Sequence, residues 1–140
     1  MSADFLDSNV LLNLVDESDP GKRTTAERLV AQGLRTGEAQ ISFQVVQETL
    51  NVITRKVRVP TSPDDARRFL SEVLIPLWRI MPTHALYERA LDIQARYRYS
   101  FYDALIIAAA LAAGCTRLYS EDLQHGQRIE GLIIEDPFAE

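Results

Sequence analysis

The 140-residue chain is poor in the residues that build disulfide scaffolds and soft-metal sites: it has one cysteine, Cys115, and two histidines, His84 and His125. A single cysteine excludes an internal disulfide and suits a reducing compartment, so the cytoplasm is the expected location. Neither histidine is near Cys115 in sequence, so Cys115 reads as a small core residue rather than a nucleophile, and His125 as a loop residue. No apolar run is long enough to span a bilayer, since the longest, 104–113, has ten residues. The opening residues, Met1 to Asp7, have no basic segment and carry two acids, so they do not read as a signal peptide. Positive charge is also short: Lys plus Arg number 15 against 20 Asp plus Glu, a net charge of −5. That excludes a simple basic nucleic-acid binder but leaves room for an enzyme that grips nucleic acid through a metal ion and a few arginines. With no repeat, low-complexity segment or linker, residues 1–140 read as a single domain of ordinary globular composition, 46% hydrophobic and 25% charged.

What is present is an alternation of short apolar strands with amphipathic helices. Ala3 to Asp7 reads as a strand running into a short helix at 8–15, with Asp7, Ser8 and Asn9 as candidate caps. A loop at 16–21 precedes a helix over 24–34 that Gly37 stops. A second strand at 39–42 leads to a long helix over 43–58. Val46, Leu50, Ile53 and Val57 form the apolar stripe of that helix, which puts Glu48 on the other face with Gln44, Asn51 and Arg55. Ser62 and Pro63 start a helix reaching Leu74, with Arg67 and Arg68 exposed. A strand follows at 77–81, then a helix over 84–98 capped by Thr83. The apolar helix from Ser100 ends at Gly114. Strands at 116–119 and 132–134 complete the pattern, followed by an acidic tail expected to be loosely held. The alternation predicts an α/β domain with a mainly parallel sheet.

In such sheets ligands bind beyond the carboxyl ends of the strands. Asp7 ends the first strand and Asp122 follows the strand at Leu118-Tyr119, so both fall on one edge. Asp103, in the first turn of the apolar helix, reaches that edge only if the helix crosses the switch point. Each acid also has a plain structural role open to it. Asp7 can be an N-cap, Glu48 a partner for Arg55, Asp103 half of a capping box with Ser100, and Asp122 a turn residue.

Four blocks carry a family likeness: Phe5-Leu6-Asp7-Ser8-Asn9-Val10-Leu11-Leu12, Gln47-Glu48-Thr49-Leu50-Asn51-Val52, Phe101-Tyr102-Asp103-Ala104-Leu105-Ile106 and Leu118-Tyr119-Ser120-Glu121-Asp122. In this order and spacing the chain resembles the PIN-domain ribonucleases, most of all the VapC-type toxins of bacterial toxin–antitoxin pairs. The resemblance implies a three-layer α/β/α sandwich, a homodimer, an RNA substrate and a small cognate antitoxin. It places the family's carboxylates on Asp7, Glu48, Asp103 and Asp122, with Glu121 beside the last as a competitor. Asn9 and Ser120 match its supporting polar residues.

Mg²⁺ or Mn²⁺ fits such a set, because these hard cations take oxygen ligands. Two unit charges about 5 Å apart repel by roughly 3 kcal/mol at an effective dielectric of about 20. Four carboxylates make six pairs, on the order of 20 kcal/mol before screening, against a domain stability of about 5–15 kcal/mol. Such a cluster must bind a cation, take up protons or spread into water. The expected chemistry is metal-assisted phosphodiester hydrolysis, with Asp7 and Asp103 as primary ligands and Glu48 and Asp122 holding a second ion or orienting water. Arg55, Lys56 and Arg58, with Arg67 and Arg68, are candidate RNA contacts. Two rivals remain. One is a haloacid-dehalogenase-like phosphatase, since Asp7-Ser8-Asn9 follows a strand, although Asn9 stands where that class has a second Asp. The other is a non-catalytic binding module on the same fold.

Overall fold

The computed structural model describes residues 3–55 and 62–139. Six short strands, β1 (Asp4–Leu6), β2 (Ala39–Ser42), β3 (Trp78–Ile80), β4 (Arg117–Tyr119), β5 (Arg128–Ile129) and β6 (Leu132–Glu135), form one sheet. Its order is β3-β2-β1-β4-β6-β5. All neighbours are parallel except β5, which runs antiparallel to β6. The helices are α1 (Ser8–Leu12), α2 (Pro20–Thr36), α3 (Phe43–Thr54), α4 (Pro63–Phe69), α5 (Ile75–Leu77), α6 (His84–Tyr97) and α7 (Phe101–Ala112), with a π-helical turn at Leu70–Leu74.

The order makes β1 the turning point. From β1 the chain steps outward to β2 and β3, then returns across the sheet to β4 on the other side of β1. Right-handed crossovers put the helices of the outward steps on one face and α6 and α7 on the other. The result is a three-layer α/β/α fold. In α7 every residue from Ala104 to Ala110 is buried. A helix apolar on all sides belongs in the interior, and α7 packs against α6, β2 and β4. It therefore crosses behind β1, and its N-terminus reaches the edge where the parallel strands end. On the opposite face α2 lies so close to β2 that a Cβ on Gly33 would come 2.3 Å from the Ala39 Cβ.

The boundaries differ from the sequence reading in ways that have local causes. Helix α2 starts at Pro20 rather than Thr24, because Asp19 caps it, its side chain accepting from Lys22 N at 3.1 Å, and proline is favourable in a first turn. The helix begun at Ser62 is α-helical only to Phe69. It widens into the π turn at Leu70–Leu74, which Ile75 separates from Pro76, a residue that cannot donate to a helical ladder. The buried residues of α3 are Gln44, Val45, Val46, Thr49 and Ile53, so Gln44 is not on a solvated face and Leu50 is only half-buried. Val57 lies outside the described residues. Strand β5, at two residues, is too short for a pattern to mark. The tail is anchored rather than loose: Phe138 packs against the core, with Lys22 Nζ 5.5 Å from its ring centre. Cys115 is buried, and burial pushes its thiol up to about 12. No helix among the described residues is long and apolar enough to cross a membrane.

Candidate active site at the carboxyl edge of the sheet

Strands β1 and β4 pair in register, Phe5 with Leu118 and Leu6 with Tyr119. The ladder runs one step further, Asp7 N donating to Tyr119 O at 3.0 Å. The residues that follow the two strands, Asp7 and Ser120 to Asp122, are thereby set side by side across more than a hundred residues of sequence. Asp7 is the N-cap of α1, its Oδ1 accepting from Ser8 N at 2.7 Å. It is also buried, so capping is part of its role and not all of it.

The second oxygen of Asp7 accepts from Ser120 Oγ at 2.8 Å and from Asn9 Nδ2 at 3.4 Å. Asn9 Nδ2 also lies 3.2 Å from both Ser120 Oγ and Asp122 Oδ2, and Asn9 Oδ1 accepts from Glu121 N at 3.3 Å. Asp122 N in turn donates to Ser120 Oγ at 3.2 Å. Asn9 thus bridges the carboxylates of Asp7 and Asp122, Ser120 ties the Asp7 carboxylate to the Asp122 backbone N–H, and Asn13 steadies Asn9 by donating to its carbonyl at 2.8 Å. Asn9, Asn13 and Ser120 are all buried.

Glu121 takes another direction. Its Oε2 accepts from Lys22 Nζ at 2.7 Å, a half-exposed ion pair. Of the two adjacent acids, the geometry gives Asp122 to the network around Asp7 and Glu121 to Lys22.

Burial raises the Asp7 carboxyl to about 6, opposed by its bonds from Ser120 and Ser8, and the charges of Glu48 and Asp122 push the same way as burial. Glu48 therefore faces Asp7 electrostatically. Its Oε2 is 3.4 Å from Gln44 Nε2, and no ion pair with Arg55 forms among the described residues. Gln44 Nε2 also donates to Tyr102 O at 3.1 Å. That bond ties the start of α3 to the start of α7, which carries Asp103.

Ser100 caps α7, accepting from Asp103 N at 3.3 Å. The reciprocal bond that completes the box at Ser62 and Asp65 is not made at Asp103, whose carboxylate is not spent on the cap. The Tyr99 phenol is raised by burial, with the Asp103 charge adding to the effect. The four expected carboxylates thus comprise a bridged pair, Asp7 and Asp122, with Glu48 and Asp103 on adjoining helices. As the side chains stand, no three acidic, histidine or cysteine residues among those described are close enough together to hold one ion.

The expected RNA contacts fare unevenly. Arg55 is exposed at the end of α3. Lys56 and Arg58 lie outside the described residues. Arg67 and Arg68 pair with Asp64 and Glu72 on their own helical stretch. His125 is a loop residue whose Nδ1 accepts from Asp136 N at 2.9 Å. Three residues near the acids were given no part in the site by the sequence: Lys22, Gln44 and Tyr102. Only Gln44 left a trace, its spacing of four from Glu48.

A mainly parallel sheet, with Asp7 and Asp122 joined where β1 and β4 end, is an α/β domain with its polar site at the carboxyl edge of the strands. The PIN domain family matches residues 5–128, and the chain belongs to that family. Solved structures agree on the fold. A toxin–antitoxin complex from Klebsiella pneumoniae aligns with a TM-score of 0.68 at 19% identity, covering 97% of this chain and 98% of that one. VapBC2 from Rickettsia felis, bound to a DNA fragment of its promoter, gives 0.67 at 16%, covering 95% and 97%. VapC20 from Mycobacterium tuberculosis, described as a toxin cleaving the sarcin–ricin loop, gives 0.61 at 22%, covering 83% and 87%. At these identities the likeness is one of fold. No curated protein sequence matches the chain.

Proposed function

We propose that the protein is a metal-dependent endoribonuclease and the toxin of a toxin–antitoxin pair. The observation that carries this reading is the buried Asp7 carboxylate bridged to Asp122 by Asn9 and Ser120 at the edge where the parallel strands end. Membership of the PIN family sets the phosphatase rival aside.

The donor set fits Mg²⁺ or Mn²⁺. It is made of carboxylate oxygens with no sulfur or imidazole, and the negative neighbours that help raise Asp7 are what a cation would offset. Asp7 and Asp103 would be the primary ligands, with Glu48 and Asp122 completing the site. The metal would supply an acidified water and polarise the scissile phosphate. The chain's own part is orientation. Asn9 and Ser120 fix which carboxylate oxygens point into the cleft. Gln44 holds Glu48 and the first turn of α7 together. Intact acids favour an enzyme over a binding module that has lost its chemistry.

The fold neighbours described as toxin–antitoxin complexes support a small protein partner. A groove of about 370 Å³ beside the site, lined by Asn9, Leu12, Asp19, Lys22, Val52 and Glu121, is where such a partner's chain would lie. The homodimer that the resemblance implies is part of the same proposal.

Cleavage-site mapping on total RNA with purified protein and Mg²⁺ tests the reading. Wild type should cut at discrete sites, while Asp7→Asn and Asp103→Asn should each lose activity by at least about 100-fold with their fold intact. Near-normal cleavage by either variant would remove it from the ligand set. No Mg²⁺-dependent cleavage by wild type would leave the binding module.

A further inference from the structure

We propose that Tyr102 is a stacking platform for an unpaired base of the RNA, next to the scissile phosphate. The inference rests on the ribonuclease reading and goes beyond it by naming a side chain that positions the substrate.

Among the described residues Tyr102 is the most exposed of the large hydrophobic side chains, at 67%. It stands in the first turn of α7, one residue before Asp103, and its carbonyl is held by Gln44, which also contacts Glu48. The position therefore belongs to the rim of the acidic site. The ring is not loose. It meets Phe101 edge to face, with centres 5.7 Å apart and planes at 69°, and Phe101 stacks on Tyr87 at 6.4 Å and 15°. Phe101 is half-buried, so the two exposed rings are mounted on an anchored one. Burying an aromatic face is favourable, and a side chain already fixed by its neighbours loses little freedom when something lands on it.

The partner that fits is a nucleobase. The chain is acidic, with a net charge of −5, so phosphate contacts alone give a weak grip. Base stacking on an aromatic ring is insensitive to net charge and accepts any base, provided the base is out of a helix. Duplex RNA, whose bases are already stacked, cannot use the platform.

The test uses the full chain carrying Asp7→Asn, so that binding is read without cleavage. A nine-nucleotide single-stranded RNA of mixed sequence, with 2-aminopurine moved position by position, is titrated against this protein. One or two adjacent positions should be quenched on binding. Adding Tyr102→Ala should abolish that quench and weaken binding roughly 5- to 150-fold, the range expected for one base–aromatic stack. Tyr102→Phe should keep both within about twofold. In the active protein, Tyr102→Ala should raise KM with kcat nearly unchanged. Equal affinity and an unchanged quench with Tyr102→Ala would overturn the platform. So would sedimentation showing that Tyr102→Ala converts a dimer to a monomer, which would assign the ring to a protein interface. Quenching without any cleavage by the active protein would sustain the platform and remove the nuclease reading. Cleavage without quenching would do the reverse.

Discussion

Asp7 is a carboxylate that the fold makes reluctant to ionise. Its pKa rises from 3.8 to about 6, so between those values the folded chain holds a proton that the unfolded chain has released. The stability tied to that proton is fully present below pH 3.8 and is lost as pH rises through 6. A raise of this size is worth on the order of 3 kcal/mol. Asp7→Asn carries no such liability, so without metal it should be more stable than wild type at pH 7.5, by up to about 3 kcal/mol less the cost of an amide facing the Asn9 amide. The gain should fade as pH falls from 6 to 4. Urea denaturation of both proteins in EDTA across this range checks it, and a pH-independent difference would show that Asp7 titrates normally. Part of this was legible in the sequence. Asp7 stood out as an acid ending a strand and able to cap a helix, and both hold. What could not be read was Gln44, a polar residue on what periodicity made a solvated face. Burial of its amide depends on where α7 begins, and that is a tertiary fact.

Close packing fixes elements around the site as well as polar bonds do. Helix α2 approaches β2 through Gly33, and the absence of a side chain there is structural. Gly33→Ala would gain roughly 1 kcal/mol of helix propensity but force a Cβ into the Ala39 methyl. A net loss of about 1–2 kcal/mol is expected, with recovery when Ala39→Gly is added. Urea midpoints of the two single variants and the pair measure the coupling, and additivity would show that the two positions do not meet. At this scale the sequence was informative wherever a cap, a stripe or a stop was strong. Ser62 with Pro63, Thr83, Ser100 and Gly37 mark the ends where the structure has them. It misled where local signals conflict. Pro20-Gly21 looks like a turn yet opens a helix, and Pro76 turns a helical end into a π turn.

For the whole molecule, the site joins strands that are distant in sequence, and a ligand bound there stabilises everything between. Under the proposed function, Mg²⁺ or Mn²⁺ should raise the melting temperature of wild type at pH 7.5, with a metal held at about 100 times its Kd adding about 2.7 kcal/mol. The rise should shrink at pH 5.5, where protons compete at Asp7, and vanish in Asp7→Asn. Calorimetry with EDTA and with metal at both pH values decides it, and an equal rise in the variant would place the ion elsewhere. The topology that makes this possible was only half readable. Alternating strands and helices point to a parallel sheet, but strand order is set by packing, and it was the return of the chain across β1 that brought Asp122 to Asp7. That return also fixes a sequence of events in time. Translation makes β1 first, and the strand beside it at the site, β4, begins only at Arg117. Until then Asp7 has no Ser120 to orient it and no ladder to hold it in place. A nascent chain is therefore without its acidic centre until Ser120 and Asp122 have been made and can settle beside Asp7.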